Sequence, residues 1–213
     1  MNKRDYFQQL ISEEPSTKQK LFYSAILLFS QKGYANVGIR ELCRSVNVKE
    51  SAFYNHYAGK EDLFRKILDY FKEQNKRAVY TDEEIRSIVS TGDIRRFLMQ
   101  NMQKFSSVAG GMIYHTILQI VIMESFVNPE AKEVASQNLY YLRKDYTEKV
   151  LRGMMDNGSI RECDAGAVTA EYYYALKGLL EEYLLIETWD EELDAINKKI
   201  DRHIGFFVQL LHK

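Results

Sequence analysis

Between Gly38 and Leu63 the chain reads GIRELCRSVNVKESAFYNHYAGKEDL, two short amphipathic helices joined by a tight turn. Ile39, Leu42 and Cys43 recur at helical spacing and bury one face of the first helix. Val46-Asn47-Val48 interrupts it, and Asn tolerates the left-handed backbone that a sharp turn requires. Lys49 to Tyr57 resumes helical spacing, with Ala52 and Phe53 placed to pack against the first helix. That pattern predicts a helix-turn-helix, whose second helix lies in a DNA major groove. The opening residues of that helix, Lys49, Ser51 and Ala52, are the ones placed to reach base edges. Lys49 can donate to guanine, Ser51 can pair with several bases, and Ala52 allows close approach or a thymine-methyl contact. Arg40 and Arg44, on the first helix, are candidates for phosphate contacts.

The run FYNHYAGKEDL from Phe53 to Leu63 resembles the signature of the TetR family of bacterial transcriptional regulators. So does LFYSAILLFSQKGY, from Leu21 to Tyr34. The resemblance is specific over about residues 16 to 64. Tyr54, His56 and Lys60 are similar in position to family residues that clamp the phosphate backbone, with Asn55 beside them. Three positions depart from the family pattern. Gly38 stands where the family favours a capping Thr, Asn47 replaces the usual turn Gly, and Lys49 replaces the usual Ser cap. The resemblance also implies a small-molecule effector held inside a helical body.

The net charge of −1 hides a strong asymmetry. Residues 16 to 60 carry seven Lys and Arg against two Glu, a net +5, whereas residues 61 to 213 carry −5. A basic end on an acidic body directs one part of the chain toward phosphate. The two cysteines, Cys43 and Cys163, lie far apart in helical patterns, with neither disulfide nor zinc spacing. They fit a reducing cytoplasm, and no apolar run approaches the roughly 18 residues of a membrane span. The N-terminus lacks the apolar stretch of a secretory signal.

Only two prolines and few alternating β-branched runs predict an all-α chain of nine to ten helices. A three-helix helix-turn-helix head (residues 1–62) leads through a continuous helix, near residues 60 to 80, into a helical ligand-binding and dimerisation body (residues 63–213). Ser16 with Gln19 and Thr81 with Glu84 have capping-box spacing, and Gly33 ends the first strong helix. Gly92-Asp93 and Gly110-Gly111 mark breaks, and Asp164 and Asp190 are caps for the last two helices. Asn128-Pro129-Glu130 is a helix start with a cap, a first-turn proline and an acid, and its helix is expected to run to about Met155.

Val168, Tyr172, Ala175, Gly178 and Leu179 share one face of the penultimate helix. Ile196, Ile200, Ile204, Phe207 and Leu211 share one face of the last. Two such helices from each of two subunits would make a four-helix bundle, and a homodimer would set two heads on a palindromic operator. The same stripes could instead be a monomer's core. For the effector, Phe97, Met99, Met102, Phe105, Met112, Tyr114, His115, Met123, Phe126, Tyr140, Tyr141, Tyr173 and Tyr174 are the aromatic and thioether candidates of the body, though each also suits an ordinary core.

The expected function is a sequence-specific DNA-binding regulator, a ligand-responsive repressor with double-stranded operator DNA, a second copy of itself and an unidentified small molecule as partners. An architectural DNA-binding protein that recruits partners without an inducer is the alternative. No cofactor, metal site or membrane association is expected. None of the four histidines sits in a metal motif, and no nucleotide-binding or nucleophile-elbow motif argues for an enzyme.

Overall fold

The computed structural model describes residues 2–109, 111–188 and 194–213, and every regular element among them is helical. The chain forms two compact units, one of Met1–Lys76 with Val108–Ser136, the other of Arg77–Ser107 with Gln137–Lys213.

The first unit holds α1 (Lys3–Glu13), α2 (Thr17–Lys32), α3 (Ile39–Ser45), α4 (Glu50–Tyr54), α5 (Lys60–Arg77), α8 (Met112–Glu124) and α9 (Pro129–Ala135). Its helix starts follow from local chemistry. The Ser16 hydroxyl accepts from Gln19 N, and Asn128 Oδ1 accepts from the amides of Glu130 and Ala131 at 2.9 and 3.0 Å, with Pro129 in the first turn. Leu21, Ala25, Ile26 and Phe29 of α2 and Leu63, Phe64, Ile67, Leu68 and Phe71 of α5 are buried. Helix α1, which the sequence reading did not assign, is capped by Asn2 and anchored by the fully buried Phe7. Lys3 Nζ donates to Gln119 Oε1 of α8 at 2.6 Å.

The second unit holds α6 (Asp82–Thr91), most of α7 (Ile94–Ala109), α10 (Leu142–Asp156), α11 (Ala165–Thr188) and α12 (Asp194–Leu211). Thr81 and Glu84 form the full reciprocal capping box, and Gly92 ends α6 in the left-handed conformation. Asp93 and Asp164 cap the next helices through Arg96 N and Ala167 N. Gly110 and Asp190 lie outside the described residues.

The helix begun at Asn128 departs from expectation. Between α9 and α10 lies a six-residue π-helix, Ser136–Tyr141, so the run to Asp156 is not one regular α-helix. A π turn closes hydrogen bonds from i to i+5 and re-phases everything after it, yet it has no compositional signature. Upstream, Ala131 and Val134 are buried in the first unit. Downstream, Tyr146, Val150 and Met154 are buried in the second.

Candidate nucleic-acid interface

The helix-turn-helix is built as the residue pattern requires. Asn47 has φ 56°, the one positive φ among the described non-glycine residues. Its turn is closed by Val48 N to Cys43 O at 2.9 Å and Asn47 N to Arg44 O at 3.2 Å. Asn47→Gly is therefore expected to leave stability within about 0.5 kcal/mol, whereas Asn47→Val is expected to cost about 1–2 kcal/mol in denaturant unfolding. Equal midpoints for the two variants would contradict the strain argument.

Helix α3 is tied to α2 by a hydrogen bond between the Ser24 and Ser45 hydroxyls. Helix α4 is shorter than the expected Lys49–Tyr57, covering Glu50–Tyr54 before a turn. It is anchored by the fully buried Phe53, and just beyond it the Tyr57 hydroxyl donates to Lys18 O at 2.9 Å. Burial pushes the Tyr57 phenol up to about 12, so it remains a neutral donor. Burial also pushes the Cys43 thiol up, with Glu50 adding to the effect, as suits a packed and unreactive group. Gly38 and Lys49 occupy the N-cap positions of α3 and α4, and neither supplies a side-chain cap.

Arg40, Arg44, Lys49, Ser51, Tyr54, Asn55 and His56 are all exposed, and Ala52 is half-buried. They come from two adjoining short helices and the turn after the second. Lys60 differs from them. It is half-buried, its ammonium donates to Tyr34 O at 2.9 Å and sits 4.2 Å from the centre of the Tyr34 ring. Burial lowers its pKa, against the opposing pull of the Glu124 charge.

The charge of this region is only partly neutralised from within. Glu41 pairs with Lys32 at 2.5 Å and Glu50 with Arg40 at 3.0 Å. Both acids of residues 16–60 are thus used. Lys18, Lys20, Arg44 and Lys49 have no ion pair among the described residues, and Lys60, which feels the Glu124 charge, donates to a carbonyl and lies over a ring. Five cations thus make no ion pair among the described residues.

The profile of the bacterial regulatory proteins of the tetR family matches residues 21–67, from α2 into α5. This helix-turn-helix head is that of the TetR family. Among curated relatives, the TetR-family match is 40% identical over 52 residues to the biofilm operon icaADBC negative transcriptional regulator IcaR of Staphylococcus epidermidis, covering 24% of this chain and 28% of that one. It is 24% identical over 172 residues to the HTH-type transcriptional regulator YuxN of Bacillus subtilis, covering 78% and 54%. The chain thus spans between about a quarter and about a half of the length of these relatives. The crystal structure of the TetR-family regulator PfmR from Thermus thermophilus superposes with a TM-score of 0.55 at 18% identity, covering 86% of this chain and 94% of that one. At that identity the likeness concerns the fold. The family is one of regulators and not of enzymes.

Away from the TetR-family head, the remaining candidates are dispersed. Tyr114, His115 and Phe126 belong to the first unit, the first two buried and Phe126 84% exposed. In the second unit Tyr173 is buried, Met102 and Tyr140 are half-buried, and Met99, Tyr141 and Tyr174 are exposed. The Phe105 side chain lies outside the described residues. The second unit has a cavity of about 570 Å³ between α6 and α7, and of these candidates Phe97 alone lines it. Its walls are Tyr80, Ser87, Arg96, Phe97, Gln100 and Lys104, among others. Lys104 is paired with Glu84 at 3.0 Å and lies 4.1 Å from the Tyr80 ring centre, which leaves Arg96 as a cation without an ion pair among the described residues. Next to Tyr80 packs Tyr146, whose hydroxyl donates to Asn101 Oδ1 at 2.6 Å. Asn101 Nδ2 donates to the Tyr173 hydroxyl at 2.9 Å, and that hydroxyl also meets Thr147 at 2.9 Å. The Tyr80 and Tyr172 hydroxyls and Thr169 Oγ1 are buried without a partner among the described residues.

The stripe expected to face a second subunit divides. Tyr172, Ile204, Phe207 and Leu211 lie in the second unit's own core, and Ile196 is buried as well. Val168, Leu179 and Ile200 are half-buried, and only Ala175 and Gly178 are exposed. Periodicity identified an apolar face, and the chain's own helices cover most of it. Among the described side chains, the large apolar groups left outward on these helices are Tyr174 and Leu185 of α11 and Phe206 of α12.

Proposed function

We propose that the chain is a sequence-specific DNA-binding repressor that acts as a homodimer on a two-fold operator and answers to a small molecule. The observation that carries this is the exposed face of α3 and α4, polar and aromatic at Arg44, Lys49, Ser51, Tyr54, Asn55 and His56, within a region where five cations make no ion pair among the described residues. Such a surface supplies phosphate contacts for affinity and base-edge contacts for sequence. Lys49, Ser51 and Ala52 read bases in this account, while Arg40, Arg44, Tyr54, Asn55, His56 and Lys60 hold the backbone. Repression is supported by the 52-residue likeness to the negative regulator IcaR.

Residues 1–62 form the reading head in this proposal, and 63–213 serve effector binding and dimerisation. That boundary falls inside the first compact unit, which keeps α5 and α8 together with the head. The homodimer is formed through the outward groups of α11 and α12, Tyr174, Gly178, Leu185 and Phe206, because the inward stripe is already used. The effector is taken up in the second unit, where the cavity volume lies within the ordinary range for small molecules and where buried hydroxyls lack partners. It acts by preferring one conformation of the body, and the path to the head includes α5, where the chain passes from one unit to the other. The repressor works in the cytoplasm, and among the described residues no helix is long and apolar enough to cross a membrane.

The test is selection of duplexes from a random-sequence pool, followed by binding at several salt concentrations. An enriched two-fold sequence is the expected result. Lys60→Ala is expected to weaken all duplexes alike and to reduce the salt slope by about 0.9 per head, about 1.8 for the dimer. An unchanged affinity and slope would remove Lys60 from the phosphate contacts.

A further inference from the structure

Helix α8 reads MIYHTILQIVIME, and its one carboxylate is its last residue, Glu124. That carboxylate is buried, at 7% exposure. A buried carboxylate is costly unless strong donors meet it. Glu124 Oε1 accepts from the backbone N–H of Tyr34 at 2.8 Å, ninety positions away in the chain.

Tyr34 is the first residue of the corner between α2 and α3, directly after Gly33, which ends α2 at φ 78° and ψ 153°. On its other side, the Tyr34 carbonyl accepts from Lys60 Nζ of α5 at 2.9 Å. The Tyr34 ring packs on Phe64 and Phe29, with centroids 4.6 and 5.3 Å away. One residue is thus gripped on its N–H by α8 and on its C=O and ring by α5. Helix α3 starts five residues later, and α4 packs on α3. The direction in which the chain leaves Tyr34 therefore sets where the recognition helix lies.

Helix α8 is held along its whole length by the elements that carry the head. The Tyr114 hydroxyl donates to Asn75 Oδ1 of α5 at 2.9 Å, and its ring stacks on Phe71 at 5.2 Å. Gln119 accepts from Lys3 of α1 at 2.6 Å, and Glu124 completes the series at the corner.

We propose that Glu124 is a positioning residue for the recognition helix, because its carboxylate fixes the Tyr34 N–H at the α2–α3 corner. The inference rests on the DNA-binding reading above.

Two substitutions separate position from charge. Glu124→Leu keeps the volume and burial but removes the acceptor, and Glu124→Gln keeps an oxygen for the Tyr34 N–H. The probe is the duplex that the wild-type chain enriches from a random pool, and thermal unfolding is followed in parallel. Glu124→Leu should lose ~10–100-fold in affinity with an unchanged salt slope, because no phosphate contact is removed. Glu124→Gln should stay within about threefold of wild type, since its amide oxygen replaces the acceptor. Should Glu124→Leu fail to fold, Glu124→Asp carries the same test, because it withdraws the carboxylate by one methylene and keeps its charge. Wild-type affinity in a folded Leu or Asp variant would overturn the proposal, and so would equal losses in Leu and Gln. A wild-type chain that enriches no duplex would overturn the DNA-binding reading, and this inference with it.

Discussion

Replacing Phe53 with alanine should cost about 3–5 kcal/mol and remove DNA binding. Phe53 is fully buried and is the one buried residue in the five of α4. A helix of that length has no stability of its own, because isolated helices shorter than ~12 residues are marginal in water. Neither α4 nor α3 has a side-chain N-cap to compensate. The recognition helix is therefore held by this ring, its edge contact with Tyr54 and tilted contact with Tyr57, and the Tyr57–Lys18 hydrogen bond. Phe53→Leu, which keeps most of the volume, should cost less than about 1.5 kcal/mol and retain binding. Denaturant unfolding and duplex binding of both variants check this. Retention of full DNA affinity by Phe53→Ala would mean that α4 is positioned by something other than its core contact.

The second large effect belongs to the polar core of the other unit. Asn101 bridges the Tyr146 and Tyr173 hydroxyls, and all three residues are buried. Burial drives the Tyr146 phenol far above its ordinary pKa, so the group acts only as a neutral hydroxyl. Asn101→Leu leaves the Tyr146 hydroxyl without its acceptor, while Tyr173 keeps Thr147. The expected loss is about 2–4 kcal/mol, from one orphaned buried hydroxyl, one lost hydrogen bond and local misfit. Adding Tyr146→Phe removes the orphan and should restore at least about 1 kcal/mol. A double variant no more stable than Asn101→Leu alone would show that the network is not what Asn101 supports.

What could be read in the sequence was local. Ser16, Thr81 and Asn128-Pro129 announced helix starts because a cap is a contact over two or three residues. Asn47 announced the turn because few residues accept its backbone angle. The exposed positions of Arg40, Lys49, Ser51, Tyr54 and His56 followed from the phase of α3 and α4 around Leu42 and Phe53.

Long-range arrangements were not legible. The stripe through Tyr172, Ile204 and Phe207 is apolar whether a partner or the chain itself covers it. The π turn at Ser136–Tyr141 changes a hydrogen-bonding register, which no residue type encodes. Aromatic content singled out Phe126, which is exposed, and passed over Tyr80, which lines the cavity. Two signals were present and unused. Phe7, Leu10 and Ile11 have the spacing of a helix behind Asn2, and Glu124 is the sole acid of a long apolar helix.

The most direct test of the account is the salt dependence of binding to the enriched duplex. Each head has five cations that make no ion pair among the described residues. For two heads on one operator, log K against log salt should fall with a slope between about −4 and −9. Half-sites should be centred roughly 34–36 Å apart along the duplex. A slope near zero, or a pool from which no sequence is enriched, would contradict it.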